Sequence, residues 1–233
     1  MIKESHHHSP IAETTRDAFG LILNGFNFEV SGQEHLDFLR DRAKNNAIFA
    51  FFPHTGHLDS IAVRAAVPKD LRSTLMYPAA ADYWYDGKVG KIRSKFSSLF
   101  VQNFPINRGR SGQSSILEGL DQAEMYLDGG YSLVVSPEGT RSNLPLEERI
   151  LHTGVAELAL KTGKPIIPVK LYGLEGVMPK GKIVPEFKRN GEKRDVRVCF
   201  KKALSIDWSN VPLSHSLARK QITRLLNNIF LEP

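Results

Sequence analysis

His54 and Asp59 stand five residues apart in the segment His54-Thr55-Gly56-His57-Leu58-Asp59. A neutral imidazole takes a proton near pH 7, and a carboxylate on its other nitrogen fixes the tautomer and steadies the imidazolium that forms. His54 is therefore the candidate general base and Asp59 its orienter. Something must hold the pair together. Ala47-Ile48-Phe49-Ala50-Phe51-Phe52 is an unbroken apolar run that reads as a buried strand, and Pro53 and Gly56 turn the chain directly after it. The two side chains belong where a strand passes into a helix.

A second turn with chemistry in it comes later, at Ser136-Pro137-Glu138-Gly139-Thr140-Arg141-Ser142, after an apolar run from Tyr131 to Val135 that reads as another short strand. It offers a carboxylate, a glycine, a hydroxyl and a guanidinium in succession. Such a turn can hold an anion: Gly139 lets the backbone approach a ligand, and Arg141 presents a planar donor fork suited to phosphate.

Together the two segments resemble the glycerolipid acyltransferases of the 1-acylglycerol-3-phosphate acyltransferase family, whose marks are a His-x4-Asp block and a Pro-Glu-Gly-Thr-Arg-Ser block. Phe104-Pro105-Ile106-Asn107-Arg108 resembles that family's second block and Pro165-Ile166-Ile167-Pro168-Val169 its fourth. All four fall in the family's order between about Val30 and about Pro179. The resemblance implies an O-acyltransferase in which His54 takes the proton of an acceptor hydroxyl as that oxygen attacks an acyl thioester, with no covalent enzyme intermediate. It implies further that Arg108, Glu138, Gly139, Thr140 and Arg141 meet the phosphate of a glycerol phosphate acceptor such as 1-acylglycerol-3-phosphate, in phospholipid biosynthesis. Acyl-CoA or acyl-ACP (acyl carrier protein) is the donor, with no cofactor or metal. Backbone N–H groups near Gly139 are the candidate oxyanion donors. Three positions depart from the family pattern: Pro53 stands where Asn is common, Gly56 where a small polar residue is usual, and Asn107 where the second block often carries an acid.

Two other chemistries share some of these residues. His54-x-x-His57-x-Asp59 has a faint likeness to metallo-hydrolase motifs, but those space the first two histidines by one residue and follow the aspartate with a third, where Ser60 stands. A nucleic-acid module would use the basic excess of 31 lysines and arginines over 25 acids. No zinc-finger spacing or ribonucleoprotein aromatic motif accompanies it, so no nucleic-acid partner is expected. The net charge of +6 also suits anionic lipid, a carrier protein or coenzyme A.

The 233 residues suit one α/β domain over 1–233, and the single Cys199 excludes an internal disulfide and fits a reducing compartment. No stretch has the roughly 18 to 20 apolar residues that cross a bilayer, and no signal peptide is apparent. The expected location is the cytoplasm, with peripheral contact at an anionic membrane face. The segment Lys88 to Phe100, preceded by Tyr83-Trp84-Tyr85, reads as a basic amphipathic helix, either resting in a membrane interface or packing its stripe on the core.

The elements that must position the motifs alternate. A helical segment over about 9–26 has Ile11, Ala18, Phe19, Ile22 and Phe26 mostly at helical spacing. Strand 27–31 and helix 34–44 precede the His54 strand, and a helix to about Ala66 follows the motif. Strand 73–79, helix 88–100, strand 101–106, helix 113–127, strand 131–135, helix 150–161 and strands 166–172 and 196–203 complete a core over about 30–205. A C-terminal helix covers about 213–230. This alternation predicts an α/β fold with a mostly parallel central sheet covered by helices on both faces. Ligands then collect beyond the carboxyl ends of the strands, where the motif turns lie.

Overall fold

A computed structural model of the chain describes residues 10–41, 44–80, 98–106, 113–178, 184–205 and 214–232. Its helices are α1 (Pro10–Gly20), α2 (Leu58–Ala66), α3 (Gln113–Asp128), α4 (Gly154–Thr162) and α5 (His215–Leu231). The strands are β1 (Asn27–Ser31), β2 (Ile48–Phe52), β3 (Leu75–Ala80), β4 (Asn103–Ile106), β5 (Ser132–Val135), β6 (Ile166–Tyr172), β7 (Lys188–Arg189), β8 (Glu192–Lys193) and β9 (Asp195–Phe200).

Seven of these strands form one sheet in the order β1-β9-β6-β2-β5-β3-β4, and β7 and β8 make a separate hairpin. The five strands from β6 to β4 are mutually parallel. β9 joins β6 antiparallel and carries β1 parallel to itself, so one edge runs the other way. The expected mostly parallel α/β sheet is what the chain forms.

β2 lies at the centre, and every residue of it is buried. Ile48, Ala50 and Phe52 face a cluster with Ala123 and Leu127 of α3, Val155 and Leu158 of α4, and Leu226 and Phe230 of α5. Phe49 and Phe51 face the other cluster, with Leu23, Leu36, Ala62 and Val63. A strand covered on both faces is the reason for the unbroken apolar run. Burying each large side chain contributes roughly 1.5 to 3 kcal/mol, which fixes β2 and the turn that follows it.

Several local expectations shift. In place of the α-helix expected over 34–44, Gln33–Arg40 is a 3-10 helix opened by Gly32 in the left-handed region, where a Cβ would come within 2.0 Å of the Phe200 carbonyl oxygen. The helix expected from 150 begins only at Gly154. The N-terminal stripe enters the core only at its far end: Phe26 is buried and Ile22 packs on the same cluster, whereas Ile11 is 80% exposed and the one buried residue of α1 is Arg16. α1 is held to α2 by charge instead, with Arg64 bonding Glu13 at 2.7 Å and Asp17 at 2.9 Å. The Tyr83-Trp84-Tyr85 cluster and the basic part of the 88–100 segment lie outside the described residues.

Candidate active site

Pro53, joined to Phe52 by a cis peptide, ends β2 and leads into the His54 turn. The side chains of His54 and Asp59 meet as the spacing requires: His54 Nδ1 is 2.8 Å from Asp59 Oδ2. Asp59 sits in the first turn of α2 and is buried. Its Oδ2 also accepts the backbone N–H groups of Thr55 at 2.6 Å and Gly56 at 2.8 Å, while Oδ1 accepts the Thr55 hydroxyl at 3.0 Å. A carboxylate met by so many donors is fixed in place, and it fixes the imidazole. With Nδ1–H given to Asp59, the lone pair of His54 stands on Nε2, on a side chain that remains 21% exposed. Phe51 meets the ring edge-on with centroids 5.2 Å apart.

The second turn arrives beside the first because β5 is the parallel neighbour of β2. Glu138 reaches across, and its Oε2 accepts the backbone N–H of His54 at 2.5 Å. The backbone N–H of Ser142 donates to the His54 carbonyl at 3.0 Å, so the Glu138–Ser142 turn grips His54 at both its peptide groups. The other oxygen of Glu138 takes the guanidinium of Arg149 at 3.3 Å, and both side chains are almost wholly buried. Arg149 also donates to the Leu144 carbonyl at 2.8 Å and lies 6.0 Å over the Phe52 ring. Burial pushes the Glu138 carboxyl above its ordinary value, against the opposing pull of the His54 N–H and Arg149.

Glu138 thus has both oxygens engaged within the protein, as a brace behind the base. Gly139 needs its glycine, with φ +67°, and its N–H is given to the Ser136 carbonyl at 3.1 Å, so this amide is not open for an oxyanion. Thr140 and Arg141 are exposed at the rim. Arg141 Nη1 donates to His57 Nε2 at 3.1 Å, which requires a neutral His57. Partial burial first, then the nearby Arg141 and His54, draw the His57 imidazole down to about 4. Arg108 lies outside the described residues, as does Asn107; the rest of the second block ends β4.

Arg149 is a functional candidate that motif reasoning passes over. Its signal is compositional: it is the one lysine or arginine between Arg141 and Lys161. Among the described residues, no three His, Cys, Asp or Glu side chains are grouped so as to hold a metal ion.

The fold and the site define an α/β enzyme with a histidine–carboxylate pair at the carboxyl edge of a mainly parallel sheet. The family model described as Acyltransferase matches residues 27–172, well over half of the chain, and the chain belongs to that acyltransferase family. Among solved structures it is similar to the 1-acyl-sn-glycerophosphate (LPA) acyltransferase PlsC from Thermotoga maritima, at 19% identity and a TM-score of 0.57, over 94% of this chain and 76% of that one. That likeness is one of fold. No curated protein matches the chain.

Proposed function

We propose that this acyltransferase moves a fatty acyl group from an acyl thioester to a hydroxyl of a glycerol-phosphate-type acceptor, with His54 as general base. The observation that carries the reading is the 2.8 Å contact between His54 Nδ1 and the buried, four-times-bonded Asp59. It leaves Nε2 as the only imidazole atom able to accept the hydroxyl proton. As the acceptor oxygen attacks the thioester carbon, the proton passes to Nε2 and Asp59 stabilises the imidazolium. The tetrahedral oxyanion collapses with release of the thiol, which is protonated by the same histidine. Atoms balance without a covalent enzyme intermediate.

Arg141 at the rim, with Arg108, supplies the acceptor's phosphate contact on this reading. The family resemblance in the Glu138–Ser142 block and the PlsC-like fold support a lysophosphatidate-like acceptor over an unphosphorylated alcohol. Coenzyme A or acyl carrier protein is the carrier. Among the described residues no helix is long and apolar enough to cross a membrane, so the lipid acceptor is reached by peripheral contact, to which the net positive charge contributes.

The deciding assay supplies purified protein with acyl-CoA and acyl carrier protein donors and a panel of lysolipid and alcohol acceptors, and identifies products by mass spectrometry. Acylated glycerol phosphate, lost in His54→Ala, is the expected outcome. Hydrolysis alone, or transfer unaffected by His54→Ala, would overturn the reading.

A further inference from the structure

Behind the Glu138–Arg149 pair a groove of about 330 Å³ runs between the 149–153 loop and α5, bordered by Arg149, Thr153, Lys220, Thr223, Arg224 and Asn227. Its polar border is built from hydroxyls, an amide and cations, with no carboxylate among the lining residues. Lys220 and Arg224 are exposed, and neither forms an ion pair, whereas the neighbouring Arg219 is bonded to Glu157 at 3.0 Å. Two unneutralised cations one helical turn apart on the wall of a groove attract an anion.

The groove's position relative to His54 says which anion. Phe230 of α5 stacks on Phe52 with ring centroids 5.1 Å apart, and Phe52 lies two residues before the base. The carboxyl end of α5 is tied to the same sheet edge, where the buried Lys170 of β6 donates to the Glu232 carbonyl. From Phe230 the groove side of α5 runs back through Asn227, Arg224 and Lys220, so that Arg224 and Lys220 stand about 9 and 15 Å along the helix from Phe230, which is itself one ring contact and two residues away from His54. An acyl thioester on a pantetheine arm carries its first phosphate on a tether of this order: two amide units and a short branched diol span roughly 15 Å when extended, with Arg224 the nearer of the two cations to the Phe230 end.

We propose that this groove is the binding site for the phosphorylated pantetheine arm of the acyl donor, with Lys220 and Arg224 at its phosphate and Thr153, Thr223 and Asn227 along its amides. The assignment rests on the acyl-thioester reading for its place in the reaction, and it adds a donor site whose lining includes Arg149 of the Glu138–Arg149 brace and not Arg141. The phosphate is common to coenzyme A and to the prosthetic arm of a carrier protein.

The test uses the full chain and the exposed variants Lys220→Gln, Arg224→Gln and the double variant. Steady-state kinetics are measured with acyl-CoA, acyl carrier protein and acyl-pantetheine, which lacks the phosphate. Exposed charge contacts are modest, so KM for the phosphorylated donors should rise about 3- to 5-fold for each single change and about tenfold for the double, less at high salt, with kcat unchanged. KM for acyl-pantetheine should not move. A rise with only one phosphorylated donor supports the site and names its source. No rise with either, or an equal rise with acyl-pantetheine, overturns it. Equilibrium binding of coenzyme A and of pantetheine, with no acceptor present, separates this site from the reaction. Preferential binding of coenzyme A that the double variant abolishes upholds the groove even in a protein that transfers no acyl group. Binding that the variants leave unchanged rejects it.

Discussion

Glu138 accepts the backbone N–H of His54 at 2.5 Å while its other oxygen holds the buried guanidinium of Arg149. The base is therefore positioned twice, at its ring by Asp59 and at its peptide by Glu138. Glu138→Ala orphans a buried arginine and an N–H together. Breaking a buried ion pair from one side typically costs about 3 to 5 kcal/mol, so this variant should unfold at clearly lower denaturant. Glu138→Gln keeps an acceptor for the His54 N–H and should lose less stability and less kcat. Adding Arg149→Gln to Glu138→Ala should cost little more, because the charge it removes is already unpaired. Denaturation midpoints and kcat for the single and double variants check this; strictly additive losses would show that the two residues do not act as a unit.

The ring contact makes its own prediction. His54→Ala should lower kcat by at least about 100-fold with the fold retained, the usual scale of general-base catalysis. Asp59→Asn should also be impaired. The amide can still accept the Thr55 and Gly56 N–H groups through its oxygen, but it does not fix the imidazole tautomer or stabilise the imidazolium as a carboxylate does. Circular dichroism alongside kcat distinguishes lost chemistry from lost structure, and near-wild-type turnover in His54→Ala would remove the histidine from the mechanism.

How much of this was readable in the sequence depends on sequence distance. The His54–Asp59 pair is local, set by a turn and one turn of helix, and residue spacing alone places it. The His54–Glu138 bond spans 84 residues and exists because β5 lies parallel beside β2, a pairing that no periodicity encodes. Buried apolar runs such as Ile48–Phe52 announce a two-faced strand, but not which neighbour it takes. The antiparallel β9 has the same alternation, with Val196, Val198 and Phe200 buried, that a parallel edge strand could show. Arg149 shows in the sequence only as the lone cation of its stretch, and an arginine in a polar loop reads as solvated. The buried Glu138 partner that changes its meaning is visible only in three dimensions. Ile11 misled for the converse reason: it is exposed and α1 is docked on α2 through Glu13 and Asp17, while the later stripe positions Ile22 and Phe26 reach the core.

His57 ties the motif to pH. Its imidazole is drawn down to about 4 in the folded chain, against about 6.5 when unfolded. At neutral pH both states are uncharged there, and the contribution to stability is fully present. As pH falls below about 6.5 the unfolded chain takes up a proton that the folded chain refuses until about 4, so stability is lost across that window. Because the ring stands partly in solvent, which screens Arg141 and His54, the loss should be modest, on the order of 1 kcal/mol. His57→Gln keeps an acceptor for Arg141 without a titrating ring. Its stability should therefore fall less steeply than wild type between pH 6.5 and about 4, as read from denaturation midpoints along a pH series. Parallel curves for the two proteins would show that His57 does not contribute to acid sensitivity.

Arg141 and Arg108 bear on the acceptor. Arg141 is exposed, and its contact with His57 helps set the orientation of the guanidinium. If these meet a phosphate, Arg141→Ala removes charge-assisted hydrogen bonds worth about 1.5 to 3 kcal/mol, or roughly 10- to 150-fold in kcat/KM. Arg108→Ala should act on the same acceptor group and in the same range. Lysine should rescue either position only partly, because an ammonium is a point charge and does not reproduce the flat fork that grips two phosphate oxygens. The loss should be selective: against a matched acceptor without phosphate, wild type and both alanine variants should differ little, since the removed donors had no partner there. Values of kcat/KM for phosphorylated and unphosphorylated acceptors, measured on all three proteins, decide it. A wild type that prefers the unphosphorylated acceptor, with variants that lose equally on both, would sink the phosphate contact while leaving the His54–Asp59 chemistry intact.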